Sequence, residues 1–595
     1  MSNRAFRTHM SNAIGRGMVG ESVTVSGWIH RWRDHGGLIF LDIRDGEGVV
    51  QVVCDPATNE AVHRSAQGLR AEFVVRASGV VRERPEANPN IPTGEIEIDV
   101  RELTVFNECP PLPFQIDDSA PARDDLRLEY RFLDLRRPVM RRVMVLRHAV
   151  SQAIRTALNS RKFLEIETPI LMKSTPEGAR DFLVPSRVHP GSFYALPQSP
   201  QLYKQMLMIS GMERYYQLAR CFRDEDLRAD RQPEFTQLDL EMSFVEQDDV
   251  FQVIEGTMAE TLRETRGIEL ETPFLRLSYD ESMARFGVDK PDLRFGLELA
   301  EISDIAAQCG FGVFKGAVEA GGIVKAIRLP HGAERSRREI ENLEKIARVY
   351  GAKGLAWLKL TPDGASGGIS KFLEAGEVST IAERTEAVTG DALLFVADRP
   401  SVVNAALGNL RNHIAQEQGL VRRDQYKFAW ITDFPLFEQD EETGNWSAAH
   451  HMFTMPYEEH LEHLESDPGR VKAQLYDLVL NGWELGSGSI RVHRADIQRR
   501  IMGVVGMSEE EAQRRFGFLL KALDYGAPPH GGIALGLDRV VTLFSEDEVP
   551  MRDVIPFAKT TSMTSLMDES PSPVDQEQLD ELGLRVVEVP APEPD

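Results

Sequence analysis

The sequence predicts a multidomain α+β protein, and three observations carry that prediction. The chain has 595 residues, which corresponds to roughly four domains. Residues 1–110 read as five short strands with one helical patch, a barrel pattern. Beyond them strand-like and helical segments mix around one densely charged hairpin, 222–241. A hydrophobic content of 42% suffices for several buried cores.

In order, SVTVSGWIHRW, LIFLDIR, VVQVVCD, FVVRASGVV and EIEIDV read as strands, with a turn at Asp45-Gly46-Glu47-Gly48 and a helical patch at 59–70 between the third and fourth. Five strands with a helix at that point is the OB-barrel order, a fold that holds single-stranded nucleic acid on stacking aromatics and nearby cations. Arg31, Arg33, Phe40 and Gln51 are distributed for such a face; the alternative puts Phe40 in the barrel core. Residues 111–136 then form a proline-rich, acidic hinge, with RLEYRFLDLRR at its end reading as helical.

In 137–290, apolar residues at Val143, Leu146, Val150, Ile154 and Leu158 make one helix face, and FLEIETPIL reads as a strand. Pro169 lies within that run, where it cannot donate to a ladder, so an edge or interface position follows. KSTPEGARDF is a loop containing Glu177. YALPQSPQLYKQ supplies Ser199, Gln201 and Lys204, with Lys204 either on the solvent side of a helix or turned to a ligand. In the hairpin, Phe235, Gln237, Asp239 and Glu241 share one strand face, and Thr236, Leu238 and Leu240 the other. Solvent would explain the polar residues of the first row but not its Phe; a binding face would use all four. Arg223 heads a loop with Asp224, Glu225, Asp226, Arg228, Asp230 and Arg231, a mixture that suits a phosphate-bearing ligand or, alternatively, a solvated turn.

Residues 291–424 combine strand-like VKAIRLP, GLAWLKL and DALLFVAD with helical REIENLEKIARVYG, an inserted α+β domain. In 425–558, the pair His450-His451 lacks HExxH spacing and points to substrate contact rather than zinc. Asn481-Gly482 between apolar runs is a hairpin turn. Counting outward pairs Val479 with Glu484 and Asp477 with Gly486, so Asp477 and Glu484 share a face on the order of 7 to 8 Å apart. That suits one hard cation on a polyphosphate, or two solvated carboxylates. Arg491 follows with a planar fork for a carboxylate. GGIALGLDRVVTLF turns from strand to helix and sets Arg539 near a helix N-terminus, where anions are favoured. The extension 559–595 ends in proline-rich, acidic EVPAPEPD.

Composition narrows the function classes. No apolar run approaches roughly 18 residues and no apolar leader follows the start, so export and membrane spanning are not expected and the cytoplasm is. Cys54, Cys109, Cys221 and Cys309 are too scattered for a CxxC zinc site or a disulfide framework. The formal net charge of −25 argues against non-specific nucleic-acid binding, so any RNA contact must rest on local arginines.

Phe222-Arg223-x-Glu225 with its hairpin return resembles motif 2 of class II aminoacyl-tRNA synthetases. The longer string FRDEDLRADRQPEFTQLD resembles the bacterial-type aspartyl-tRNA synthetases of subclass IIb, and FLEIETPIL and GGIALGLDRVVTLF resemble motifs 1 and 3. Ser487 within an otherwise glycine triplet and Met452 after the histidine pair depart from the family pattern. The resemblance implies an OB-fold anticodon-binding domain, a class II antiparallel-sheet catalytic domain in two parts, the bacterial-type insertion and a homodimer built on motif 1. It implies activation of L-aspartate with ATP and Mg2+, then transfer to tRNA-Asp. By the same resemblance Arg223 meets the α-phosphate, Glu225 and Phe235 adenine, Arg539 the γ-phosphate, and Asp477 with Glu484 the Mg2+. Lys204 and Arg491 meet the aspartate side chain, Asp239 holds those cations, Glu177 meets the ammonium, and Ser199, Gln201, His450 and His451 line the amino-acid site. Arg31, Arg33, His35, Phe40 and Gln51 fall on anticodon-contacting strings. His35 resembles members that also charge tRNA-Asn, so a non-discriminating enzyme is expected, with a strictly tRNA-Asp-specific enzyme and a non-catalytic tRNA-binding paralogue as alternatives. Lysine as substrate would need an anionic floor, and asparagine would leave Lys204 and Arg491 unpaired.

Overall fold

The structure, a computed structural model, describes residues 6–175, 179–226, 231–440 and 442–587, in two compact units that divide after Ala122. In the first unit the strands Ser22–His35, Leu38–Arg44, Val49–Cys54, Val74–Glu83 and Ile96–Asn107 close a barrel. Helix Glu60–Gln67 follows the third, started by the Asn59 side chain accepting from the amides of Ala61 and Val62. Val25, Ile29, Ile39, Leu41, Ile43 and Val52 alternate into the core. Phe40 therefore lies on the outer face and is half-buried, which removes the core alternative. Gly36 and Gly37, at φ +62° and +84°, make the two-residue turn next to the His35–Leu38 pair; glycine carries that left-handed backbone without strain.

The second unit begins at Arg123, so the latter part of the expected hinge 111–136 belongs to it. Helices Asp124–Glu129 and Arg131–Asp134 are fixed there by buried Arg131, which pairs with Asp134 at 2.5 Å and donates to the carbonyls of Ile555 and Pro556. Eight strands form the main sheet, in the order Leu275–Ser278, Phe428–Thr432, Leu475–Leu480, Trp483–Ile490, His530–Gly536, Glu234–Ser243, Arg214–Phe222 and Leu164–Glu165. Pairing is antiparallel except at the two edges. Leu238, Leu240, Leu478 and Leu535 face helices Pro138–Ser160 and Gln247–Arg266, with Phe251 stacked on Trp430 at 4.1 Å. The opposite face is left for polar side chains.

Two elements differ from the sequence expectation. FLEIETPIL contributes only the two-residue strand Leu164–Glu165, and Pro169 lies beyond it. The Ile166 amide still reaches Tyr216 O, and the ladder then gives way to a side-chain bond from Thr168 to Gln217. In the Asn481-Gly482 hairpin, Val479 pairs with Glu484 as counted, but a bulge sets Asp477 opposite Ser487 rather than Gly486.

The segment 291–424 holds a separate five-stranded sheet, Ala300–Glu301, Ile323–Leu329, Ala392–Asp398, Ala356–Thr361 and Gly364–Ser366 in spatial order. Leu393 and Phe395 pack on one side of it, and Ala392, Leu394 and Val396 on the other. Buried Arg411 collects the carbonyls of Asp292, Phe295, Gly296 and Leu297, tying the entry segment down.

Candidate active site

The polar face of the main sheet floors a cleft of about 510 Å³. Its closed end is a quartet of ions. Lys204, on helix Gln201–Ile209, lies 2.5 Å from Asp239 and 3.3 Å from Glu241, and Arg491 meets Glu241 through Nε at 2.9 Å and Nη2 at 3.3 Å. Arg491 Nη1 donates to Ser489 Oγ at 2.7 Å and to His451 Nε2 at 3.0 Å, and Nη2 also donates to Gly532 O. All five of its N–H groups are therefore in use. Lys204 points inward rather than to solvent, and the row of Asp239 and Glu241 is buried, not solvated.

Burial pushes the Glu241 carboxyl up, but Arg491 and Lys204 outweigh it and hold it below its ordinary range. For Asp239, burial prevails over Lys204 and Glu241 adds to it, so its carboxyl is pushed up. Burial, with Arg491 beside it, keeps the His451 imidazole far below its ordinary value and hence neutral, which lets Nε2 accept. His450 behaves oppositely: burial lowers it, but Asp477, 3.8 Å away, raises it more. Among the described residues no group of three or more His, Cys, Asp and Glu is arranged to hold a metal ion.

Ser199 and Gln201 line the same end, and the buried Gln201 Nε2 has no hydrogen-bond partner among the described residues. Glu177 lies outside the described residues. On either side of it, Ser174 Oγ and Gln198 Nε2 donate to Asp181 at 2.8 and 2.5 Å, and Gln198 also donates to Ala179 O.

The open end is less buried. The Arg223 guanidinium sits 5.1 Å from the centre of the Phe235 ring, and Arg231 pairs with Glu225 at 2.9 Å. Arg539, in the first turn of helix Leu537–Phe544, donates to Glu484 O at 2.6 Å. Its neighbour Asp538 is buried and accepts from Arg147 at 2.5 Å and from the Thr236 amide at 3.2 Å. Glu484 lines the cleft, and burial together with the Asp477 carboxylate pushes its carboxyl up. Asp477 lies behind it, with a buried Oδ1 that lacks a hydrogen-bond partner among the described residues. Gly486 cannot carry a side chain, since a Cβ would stand 1.9 Å from Ala534 O; Ser487, the departure next to it, lines the cleft.

In the barrel, Arg31 and His35 are exposed, but Gln51 is buried, accepting from Arg33 and Arg84 and donating to Glu97 at 2.7 Å. Of the residues named from sequence, the cleft gathers Ser199, Gln201, Lys204, Arg223, Glu225, Phe235, Asp239, His450, His451, Glu484, Arg491 and Arg539. Sequence reasoning gave no role to Gln232, Asp538 or Gln198, and placed Glu241 only on a candidate binding face. The two-residue period put Glu241 on the row of Asp239; Gln232 and Asp538 owe their places to partners hundreds of residues away, and Gln198 to Asp181 and Ala179 in the preceding loop.

A family model described as tRNA synthetases class II (D, K and N) matches residues 123–561, and one described as OB-fold nucleic acid binding domain matches 23–106. The chain is 54% identical over 583 residues to "Aspartate–tRNA(Asp/Asn) ligase" of Geotalea uraniireducens, with 98% of each chain covered. It is 50% identical over 583 residues to "Aspartate–tRNA ligase" of Macrococcus caseolyticus, again with 98% of each covered. The solved asparaginyl-tRNA synthetase from Pyrococcus horikoshii, complexed with asparaginyl-adenylate, shares the fold at a TM-score of 0.57 and 20% identity, over 92% of this chain and 96% of that one. With matches over nearly its whole length, the chain belongs to the class II tRNA synthetases, the D, K and N group.

Proposed function

We propose that this chain activates L-aspartate with ATP to aspartyl-adenylate and transfers the aspartyl group to the 3′ end of tRNA-Asp and of tRNA-Asn. The observation that carries the reading is the buried cation pair Lys204 and Arg491 at the closed end of a cleft whose open end presents Arg223, Phe235 and Arg539. The substrate carboxylate attacks the α-phosphorus and pyrophosphate leaves; the terminal ribose hydroxyl of the tRNA then attacks the adenylate carbonyl and AMP leaves. The enzyme needs no nucleophile of its own, so positioning and charge stabilisation are its contribution. Arg223 binds the α-phosphate, Phe235 and Glu225 the adenine, and Arg539 the γ-phosphate. Lys204, Arg491, Ser199, Gln201 and the two histidines hold the aspartate, and Glu177 takes its ammonium.

Contrary to the expectation from sequence, asparagine would not leave Lys204 and Arg491 unpaired, because Asp239 and Glu241 already pair with them. Preference for a carboxylate rests instead on donors: Lys204 with three N–H groups, the Gln201 amide, which has no partner among the described residues, and Arg491 Nη1 if His451 or Ser489 yields to the ligand. Asp477 and Glu484 would hold Mg2+: both are hard donors, and one buried Asp477 oxygen lacks a hydrogen-bond partner among the described residues. Mg2+ bound with ATP supplies neutralisation of the polyphosphate charge.

Phe40, Arg31, Arg33 and His35 of the barrel read the anticodon, with Gln51 orienting Arg33 from behind. Motif 1 pairs two copies into a homodimer; Leu164, Ile170 and Leu171, about half exposed at that sheet edge, support this. The setting is the cytoplasm. A strictly tRNA-Asp-specific enzyme is the second reading, favoured by the name of the Macrococcus relative. Aspartate-dependent ATP–pyrophosphate exchange tests the first step, and charging of separate tRNA-Asp and tRNA-Asn transcripts tests the second. Comparable charging of both supports the broad reading, charging of tRNA-Asp alone supports the narrow one, and exchange without aspartate dependence refutes both.

A further inference from the structure

Two stretches far apart in sequence meet beside the open end of the cleft: the charged hairpin, with Gln232 and Glu234 on its return arm and Arg220 on its outgoing arm, and Lys559, fifteen residues after the Leu537–Phe544 helix. One residue engages both ends of the Gln232 carboxamide. The Lys559 amide donates to Gln232 Oε1 at 3.0 Å, and Gln232 Nε2 donates back to Lys559 O at 3.3 Å. The Lys559 ammonium pairs with Glu234, whose other oxygen accepts from Arg220 Nη2 at 2.6 Å. Burial pushes the Glu234 carboxyl up, but Lys559 and Arg220 outweigh it and hold it below its ordinary range. Arg220 continues to Thr236 Oγ1 at 3.1 Å, and the Thr236 amide donates to Asp538, next to Arg539.

The backbone explains why such a clasp is needed. Ladder pairing of the two arms starts only at the Glu234–Phe222 pair. Residues 231–233 precede it, and their main-chain tie to the other arm is the Arg223 amide donating to Pro233 O at 2.8 Å. Gln232 lines the cleft, as does Met551 from the same following segment. The end of the hairpin outside the ladder is thus held from the side by a segment that follows the last strand of the sheet.

We propose that Lys559 is a positioning residue for the nucleotide half of the cleft: its backbone fixes Gln232, and its ammonium fixes Glu234, so that the wall carrying Gln232 and Phe235 stands ready for ATP. This rests on the ATP-binding reading above. The test measures ATP affinity by calorimetry and pyrophosphate-exchange kinetics on the full chain. Lys559→Ala raises the Kd and KM for ATP about tenfold, the weight of one charge-assisted contact, while the KM for aspartate stays within about twofold. Lys559→Arg keeps the cation and stays within about twofold of the unmodified protein on both. Unchanged ATP values in Lys559→Ala, or an equal rise in both KM values, overturn the proposal. Should Lys559→Ala fold poorly, Lys559→Gln is read the same way: a raised ATP Kd supports the clasp and an unchanged one refutes it. If the unmodified protein binds ATP but shows no aspartate-dependent exchange, the ligase reading falls, and the clasp is still judged on the ATP Kd.

Discussion

At the closed end of the cleft, Lys204, Asp239, Glu241 and Arg491 are each at most 1% exposed, whereas at the open end the side chains of Arg231, Glu484 and Arg539 keep 42%, 34% and 25% of their surface. The two ends use similar residue types under different dielectric conditions. Buried ions lose hydration and must be neutralised on the spot, so two cations sit against two carboxylates with the Arg491 donors saturated. Half-exposed ions keep water and can exchange partners with a ligand. The closed end therefore belongs to the fold as much as to the site, and the open end belongs mainly to the ligand.

The sharpest way to break this comparison is to remove one cation from each end. Lys204→Met leaves Asp239 and Glu241 with Arg491 alone; we expect loss of about 3–5 kcal/mol of stability, read by denaturant unfolding, together with abolition of aspartate-dependent exchange. Arg539→Met should slow exchange about a hundredfold yet change stability by less than about 1 kcal/mol. Equal destabilisation by the two would show that burial does not separate the ends. A third variant lies outside the cleft: Phe40→Ala on the barrel's outer face should raise the KM for tRNA about tenfold through lost stacking, with exchange and melting unchanged. An effect on melting instead would return Phe40 to the core.

The smallest expected effect is on pH dependence. Burial and Asp477 raise the Glu484 carboxyl, so it takes up a proton, and loses its charge, at a higher pH than an ordinary glutamate. Glu241, held low, stays charged below that point. As pH falls from neutrality, the KM for ATP with Mg2+ should rise a few-fold, roughly, and Glu484→Gln should flatten that profile. A profile unchanged by Glu484→Gln would assign the titration to another group.

Much of this arrangement is legible in the residue order. A two-residue period puts Asp239 and Glu241 opposite Leu238 and Leu240, because strand geometry leaves no other choice. Asn481-Gly482 names its own turn, since both positions need a left-handed backbone. The count outward from that turn fails at Asp477, because a bulge adds a residue without any composition signal. Pro169 falls outside its expected strand, which ends at Glu165, where side-chain bonding to Gln217 takes over from the ladder.

The sequence by itself determined the strand order of the barrel and the row shared by Asp239 and Glu241, because these follow from local periodicity, while the roles expected of the charged groups in the cleft came from the family resemblance. Only the tertiary structure decided which charges meet. Glu241 against Arg491 across 250 residues, Asp538 against Arg147 across 391 and Gln232 against Lys559 across 327 are long-range pairings that burial selects, and no local pattern encodes a partner hundreds of residues away.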